Sequence, residues 1–167
     1  MIKQGCDALQ SKSRRSKGKS STLTRAGKVR RIKQPSKRTL KLNAWVAFSK
    51  YIRLRDCLKT TGTLTNGKCI TCGKLLNIGF SDAGHFVSRR YNSVLFDEQN
   101  VHLQCRYCNR YLNGNLLEYR RQLIKLYGEG TDVALEDKAT EIKKFSEIDL
   151  TNIKNCYILK AKELMKG

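Results

Sequence analysis

The stretch "CITCGKLLNIGFSDAGHFVSRRYNSVLFDEQNVHLQCRYCN", residues 69–109, opens on one Cys-x-x-Cys pair and closes on a second that is followed directly by asparagine. Cys69, Cys72, Cys105 and Cys108 thus form C-x2-C-x32-C-x2-C. Each short spacing lets two thiolates reach one ion. Four thiolates complete a tetrahedron with no open position, so the pattern predicts a structural Zn2+ rather than a catalytic one. Compact zinc ribbons have about 15–20 residues between their pairs. The longer segment here makes the ion a clip across the ends of a substantial loop. That loop carries Asp82, His85, Asn100 and His102, and Asn109 follows it.

Working outward, the 167 residues fit one domain, or a smaller one with a tail. Thirty-four Lys plus Arg against fourteen Asp plus Glu give a net charge of +20, which points to a polyanionic partner, nucleic acid first. The chain has no apolar run long enough to span a bilayer and no apolar stretch of the signal-peptide kind near residue 1. No membrane partner is expected, and the expected place of work is a cytoplasm. Its reducing pool favours metal ligation by the paired cysteines over a disulfide framework. Cys6, Cys57 and Cys156 lie outside the pattern and read as small packing or surface residues.

Three segments follow from composition and periodicity. Residues 1–40 are strongly basic with few large apolar side chains, and read as a disordered arm that grips phosphates by counterion release. Residues 41–128 hold the core. Here Asn43 is the expected N-cap of a helix whose stripe runs through Trp45, Phe48 and Ile52, with Lys50, Arg53 and Arg55 largely outside it. Strands are expected around Cys69–Cys72 and Phe80–Val87 and at "VHLQC", residues 101–105. A helix then runs to Gly128, interrupted near Asn113-Gly114-Asn115, and Tyr91, Tyr107 and Tyr111 read as core packing ahead of base stacking. Residues 129–167 carry Leu150, Ile153, Tyr157 and Leu164 at helical spacing, expected to pack or to dimerise. The fold class is α+β.

Several ordered blocks resemble the phage NinG (Rap) recombination endonucleases, within the zinc-bound HNH or ββα-metal nucleases that include recombination endonuclease VII. They are "YIRLRD" at 51–56, "CITCG" at 69–73, "DAGHF" at 82–86, "NVHLQC" at 100–105 and "CNRYLNGN" at 108–115. The resemblance implies a ββα-metal core stapled by zinc and flanked by helices. It also implies Mg2+-dependent nicking of branched DNA, such as Holliday junctions and D-loops, with Mn2+ as a substitute ion.

Under that resemblance His85, Asn100 and Asn109 are the catalytic set. His85 would take the proton of the attacking water, Asn100 would fix its orientation, and Asn109 would offer an oxygen to Mg2+. Related nucleases carry Asp immediately before this His, where the present chain has Gly84. Asp82 and His102 are the candidates to replace it as ligands. Arg89, Arg90, Arg106 and Arg110 are expected on phosphates. Paired incisions across a junction imply a homodimer, phage recombination proteins are possible partners, and the location implied is the cytoplasm of a bacterial host. Two other readings remain open at this point: a non-catalytic zinc-bearing nucleic-acid binder, and a sequence-specific HNH homing or restriction enzyme.

Overall fold

The structure, a computed structural model, describes residues 21–23, 29–31 and 34–166. Helix α1 (Lys37–Thr61) starts well before Asn43. Ser36 is its N-cap, accepting the Thr39 N–H at 3.2 Å, and the good helix formers of "KRTLKL" carry the helix on from there. It stops at Gly62, whose φ of 70° and N–H to the Leu58 carbonyl close the last turn. The boundary drawn at residue 40 therefore falls inside α1. Within the basic arm, β1 (Ser21–Leu23) pairs antiparallel with β2 (Val29–Arg31). That pairing departs from the expected disorder, and the rest of the arm lies outside the described residues.

The first cysteine pair sits at the end of a hairpin made by β3 (Asn66–Lys68) and β4 (Leu75–Asn77). Gly67 lets this hairpin press on the core: a Cβ there would lie 2.8 Å from Leu103 Cδ2 and 2.9 Å from Cys57 Sγ. The central ladder pairs β5 (Ser81–His85) with β6 (Val101–Cys105), antiparallel, from Ser81 opposite Cys105 to His85 opposite Val101. A π-type turn (Tyr107–Tyr111) carries the second cysteine pair into α2 (Leu116–Tyr127). Asn113, Gly114 and Asn115 all have positive φ, so the expected interruption falls on those residues, and α2 stops at Gly128 as expected. Helices α3 (Thr131–Thr140) and α4 (Glu147–Leu164) follow, α4 with a Ser146–Asp149 capping box.

The ladder is covered on both faces. Val101 and Ala83 pack against Phe48 and Ile52 of α1 and Tyr157 of α4, while Tyr119 of α2 covers the other face through bonds to the Gly84 carbonyl and His102. Leu150 and Tyr157 are thus buried within the chain, and the C-terminal helices complete the core instead of standing apart from it. Arg55, expected outside the helix stripe, is 6% exposed. Its guanidinium meets Asp56 Oδ1 at 2.7 Å and the carbonyls of Glu98 and Val101 at 2.8 and 3.0 Å, while Asp56 Oδ2 accepts the Leu103 N–H at 2.7 Å. This ion pair ties α1 to β6.

Candidate active site beside a four-cysteine metal clip

The four cysteine sulfurs all lie within 4.8 Å of one another, with Cys72 Sγ and Cys105 Sγ 3.8 Å apart. A tetrahedron with Zn–S bonds of about 2.3 Å has edges of roughly 3.8 Å, so the set fits Zn2+. Backbone N–H groups steady the sulfurs, Cys105 donating to Cys69 at 3.3 Å and Cys108 to Cys105 at 3.4 Å. Burial pushes the Cys69 thiol up, but the Thr71 hydroxyl and three backbone N–H groups outweigh it and bring the pKa down to about 7. An ion held there would fix the end of β6 and the start of the π-type turn against the β3–β4 hairpin.

Because side chains alternate along β5, its residues divide between two sides. His85 faces α1: its ring stacks on Trp45 with centroids 4.8 Å apart, and Nε2 lies 3.3 Å from the Leu95 carbonyl. In the neutral ring Nε2–H donates to that carbonyl and Nδ1 remains an acceptor. Burial first, and the nearby Arg89 charge, bring the His85 pKa down to about 4 against the pull of Leu95. The ring is neutral at pH 7.

Asp82 and Gly84 face the π-type turn. Asn109 Nδ2 donates to Asp82 Oδ2 at 3.0 Å, and Arg110 grips both Asp82 oxygens at 2.8 and 2.9 Å. Burial raises the Asp82 pKa, but these donors outweigh it and hold the carboxyl below its ordinary value. Asp82 and Asn109 are therefore neighbours, while the Arg110 fork, expected on phosphate, is spent on Asp82. Arg106 lies over the Phe80 ring at 5.9 Å, and Arg89 and Arg90 are exposed just past the end of β5.

His102 requires a correction. It stands opposite Gly84, on the side away from His85, and is 3% exposed. Tyr119 donates its hydroxyl proton to the Gly84 carbonyl at 2.9 Å, so His102 Nδ1 donates to the Tyr119 oxygen at 3.2 Å and Nε2 accepts from Tyr127 at 2.9 Å. Neither nitrogen is left for a metal. Most polar groups in a strand covered on both faces find their partners inside the protein.

Asn100 also differs from its expected place. It makes no bond to His85; fully buried, it accepts the Val87 N–H at 2.7 Å and donates to the carbonyls of Val87 and Val94 at 2.9 and 3.0 Å. It pins the loop whose next residue, Leu95, supplies the His85 acceptor, and so positions His85 indirectly. Asn100→Ala strands three backbone groups, at about 1–3 kcal/mol for each buried group left unpaired. The expected result is a lower urea midpoint and faster exchange of the Val87 amide; unchanged exchange would contradict the pinning.

Acid should weaken the fold early. The His102 pKa is depressed to about 3, chiefly by burial, and that of His85 to about 4, both from 6.5. Stability from such groups is complete above 6.5 and declines as pH falls toward the folded values, by up to about 1.4 kcal/mol per pH unit for each. Stability of the zinc-loaded protein should fall measurably between pH 6.5 and about 5, with a shallower slope in His102→Asn. Equal slopes would contradict this.

The tyrosines expected in the core are on the surface. Tyr91, Tyr107 and Tyr111 are exposed, the last two stacked at 6.1 Å. Trp45, anticipated only as core, is the residue that orients His85, and periodicity carries no sign of that role.

A family model described as Bacteriophage Lambda NinG protein matches residues 2–167. The chain is 33% identical over 99 residues to protein ninG of Escherichia phage 933W, covering 59% of this chain and 45% of that protein. It is 32% identical to protein ninG of Escherichia phage lambda over the same shares, and 43% identical over 61 residues to protein ninG of Salmonella phage P22, covering 36% of this chain and 30% of that one. The matched stretch thus spans less than half the length of these relatives. No solved structure matches. Among the described residues no helix is long and apolar enough to cross a membrane.

Proposed function

The chain belongs to the NinG family, and from that premise we propose that it is a metal-dependent endonuclease of phage recombination that nicks branched DNA. The observation that carries this reading is the neutral His85 at the end of β5, with Nε2 committed to Leu95, Nδ1 left as an acceptor and Trp45 fixing the ring. Two antiparallel strands followed by a helix and clipped by four cysteines support an HNH-type core.

In this reading His85 Nδ1 takes the proton of the water that attacks phosphorus. A phosphate beside the ring adds negative charge and raises its affinity for that proton. Asn109, on the side of β5 opposite the His85 ring, offers a hard oxygen suited to Mg2+ or Mn2+, with the Asp82 charge next to it, and a phosphate lying across the end of the strand would meet both. A divalent ion, when bound, supplies charge relief on the phosphate and stabilises the leaving 3′ oxygen. Arg89, Arg90 and Arg106 hold flanking phosphates, and the net charge of +20 draws the DNA in. Cutting both strands of a junction requires two such sites, so the working form is a homodimer, acting with other recombination proteins in the cytoplasm of the bacterial host.

A non-catalytic zinc module is the rival, favoured by the glycine at position 84. The test incubates zinc-loaded protein with a four-way junction, a D-loop and matched linear duplex in Mg2+ or Mn2+. Cleavage of the branched forms ahead of the duplex is expected. Binding with no cleavage in either ion would favour the rival, and cutting of one linear sequence would favour a homing or restriction enzyme.

A further inference from the structure

The π-type turn has to point Cys108 inward, because that sulfur belongs to the four-cysteine cluster, and Cys108 is the buried residue of the turn. The turn is wide, closed by the Leu112 N–H on the Tyr107 carbonyl at 3.0 Å. Tyr107 and Tyr111 come out on its surface side by side, with ring centroids 6.1 Å apart and planes 26° from parallel, and they are 62% and 77% exposed. Phe80, from a 3-10 turn at Ile78–Phe80, is 69% exposed, and the Arg106 guanidinium lies over its ring at 5.9 Å. The core uses none of these rings. A group of aromatic rings kept in water calls for a reason.

Phe80 and Tyr107 line one cavity, of about 430 Å³, together with Lys74 and Arg106. Clefts of roughly 300–1,000 Å³ are the size that holds a small molecule. Cys72, Cys105 and Cys108 border the cavity as well, but an ion bonded to four sulfurs has no position left for a further ligand, so what enters meets the rings and the cations. None of the described residues that line it is a carboxylate. Asp82, beside the same turn, is engaged by Asn109 and Arg110.

Aromatic faces set among cations, with no acid to receive a basic group, match a partner that is flat and anionic, and a nucleotide is both. In a duplex each base shows its faces only to its stacked neighbours, so the base that can lie on these rings is unpaired. A second copy of the chain fits less well, because a two-fold contact sets a patch against itself and would bring its cations toward the same cations of the other copy.

We infer that Phe80, Tyr107 and Tyr111 form a stacking platform for unpaired bases at a DNA branch, with Lys74 and Arg106 on the flanking phosphates. This deepens the nuclease reading above and rests on it for the branched substrate. Asn109 lies in the same turn, between the two tyrosines in sequence, so a base held on the platform brings its own phosphate close to that residue. Selection of branched DNA over linear duplex then follows from the unpaired bases that the branch offers.

The test measures binding of forked DNA by the zinc-loaded full chain, in Ca2+ so that affinity is read without cleavage. The unpaired arm is made twice, once with its bases and once with abasic sugars, which keeps the phosphate charge the same. The arm that carries bases is expected to bind roughly tenfold tighter. Tyr107→Ala combined with Tyr111→Ala should bring it close to the abasic affinity, while Tyr107→Phe combined with Tyr111→Phe keeps the preference because the rings remain. Equal affinity of the parent for the two arms, or an undiminished preference in the alanine pair, overturns the platform and leaves the nuclease reading, which is judged by incision in Mg2+, where it stood. A changed oligomeric state in the alanine pair with the base preference intact marks the patch as a contact between copies and also overturns the platform. Should the alanine pair not fold, the comparison of the two arms on the parent protein decides by itself.

Discussion

In protein loaded with zinc at the four sulfurs, removing the ion by a strong chelator, or its site by Cys69→Ser, is expected to abolish cooperative unfolding of the strand core. Structural Zn2+ in small zinc-dependent folds contributes about 10–16 kcal/mol of apparent binding energy at neutral pH, more than any other single interaction here. The reason lies in the sequence separation. An ion there joins the β3–β4 hairpin to the start of the π-type turn, with His85 and Asn100 on the chain between and Asn109 just past the last cysteine. Cys69 and Cys108 are buried, so without an ion four sulfurs are held together with no cation to bridge them. The Cys72 thiol is then pushed up to about 12, first by burial and then by its sulfur neighbours, and stays protonated. Far-ultraviolet circular dichroism during heating, with released zinc counted by a colorimetric chelator, checks this. A midpoint that does not change on removal of one zinc per chain would contradict the clip.

Arg55→Met is expected to have the next largest effect, although Arg55 holds none of the candidate reactive roles. The guanidinium is buried, and although burial disfavours its charge, Asp56 outweighs that and keeps it protonated. Removing it leaves the Asp56 carboxylate buried beside the Glu98 and Val101 carbonyls with their donors gone. Breaking one side of such a pair costs about 3–5 kcal/mol. Arg55→Lys should recover little, since one ammonium cannot span the three acceptors. Replacing both partners with apolar residues should recover part of the loss, because no lone charge remains. Urea denaturation of the single and double variants reads both effects; full stability in Arg55→Met would remove the tie between α1 and β6.

How far the sequence could be read depended on whether a feature was local. The cysteine spacing, the strand "VHLQC", the break at Asn113–Asn115 and the stop at Gly128 are local, and each is where the spacing put it. Which face of a strand looks where is not local. With helices on both sides of the ladder, "VHLQC" carries polar residues inward, and nothing in its alternation distinguishes the His85 side from the Asn109 side. That is why His102 was expected at the pocket and stands in the core. Arg55 was expected at the surface for a related reason: its partners, Glu98 and Val101, come from a segment distant in sequence.

The central claim, that a neutral imidazole at the end of β5 performs the proton transfer, is tested most directly by single-turnover cleavage of a four-way junction by His85→Ala beside the parent protein. Binding of the same junction in Ca2+ is measured in parallel. The account predicts a cleavage rate lower by about 10²–10⁴ with junction affinity and zinc content unchanged. Cleavage by His85→Ala at the parental rate would contradict it.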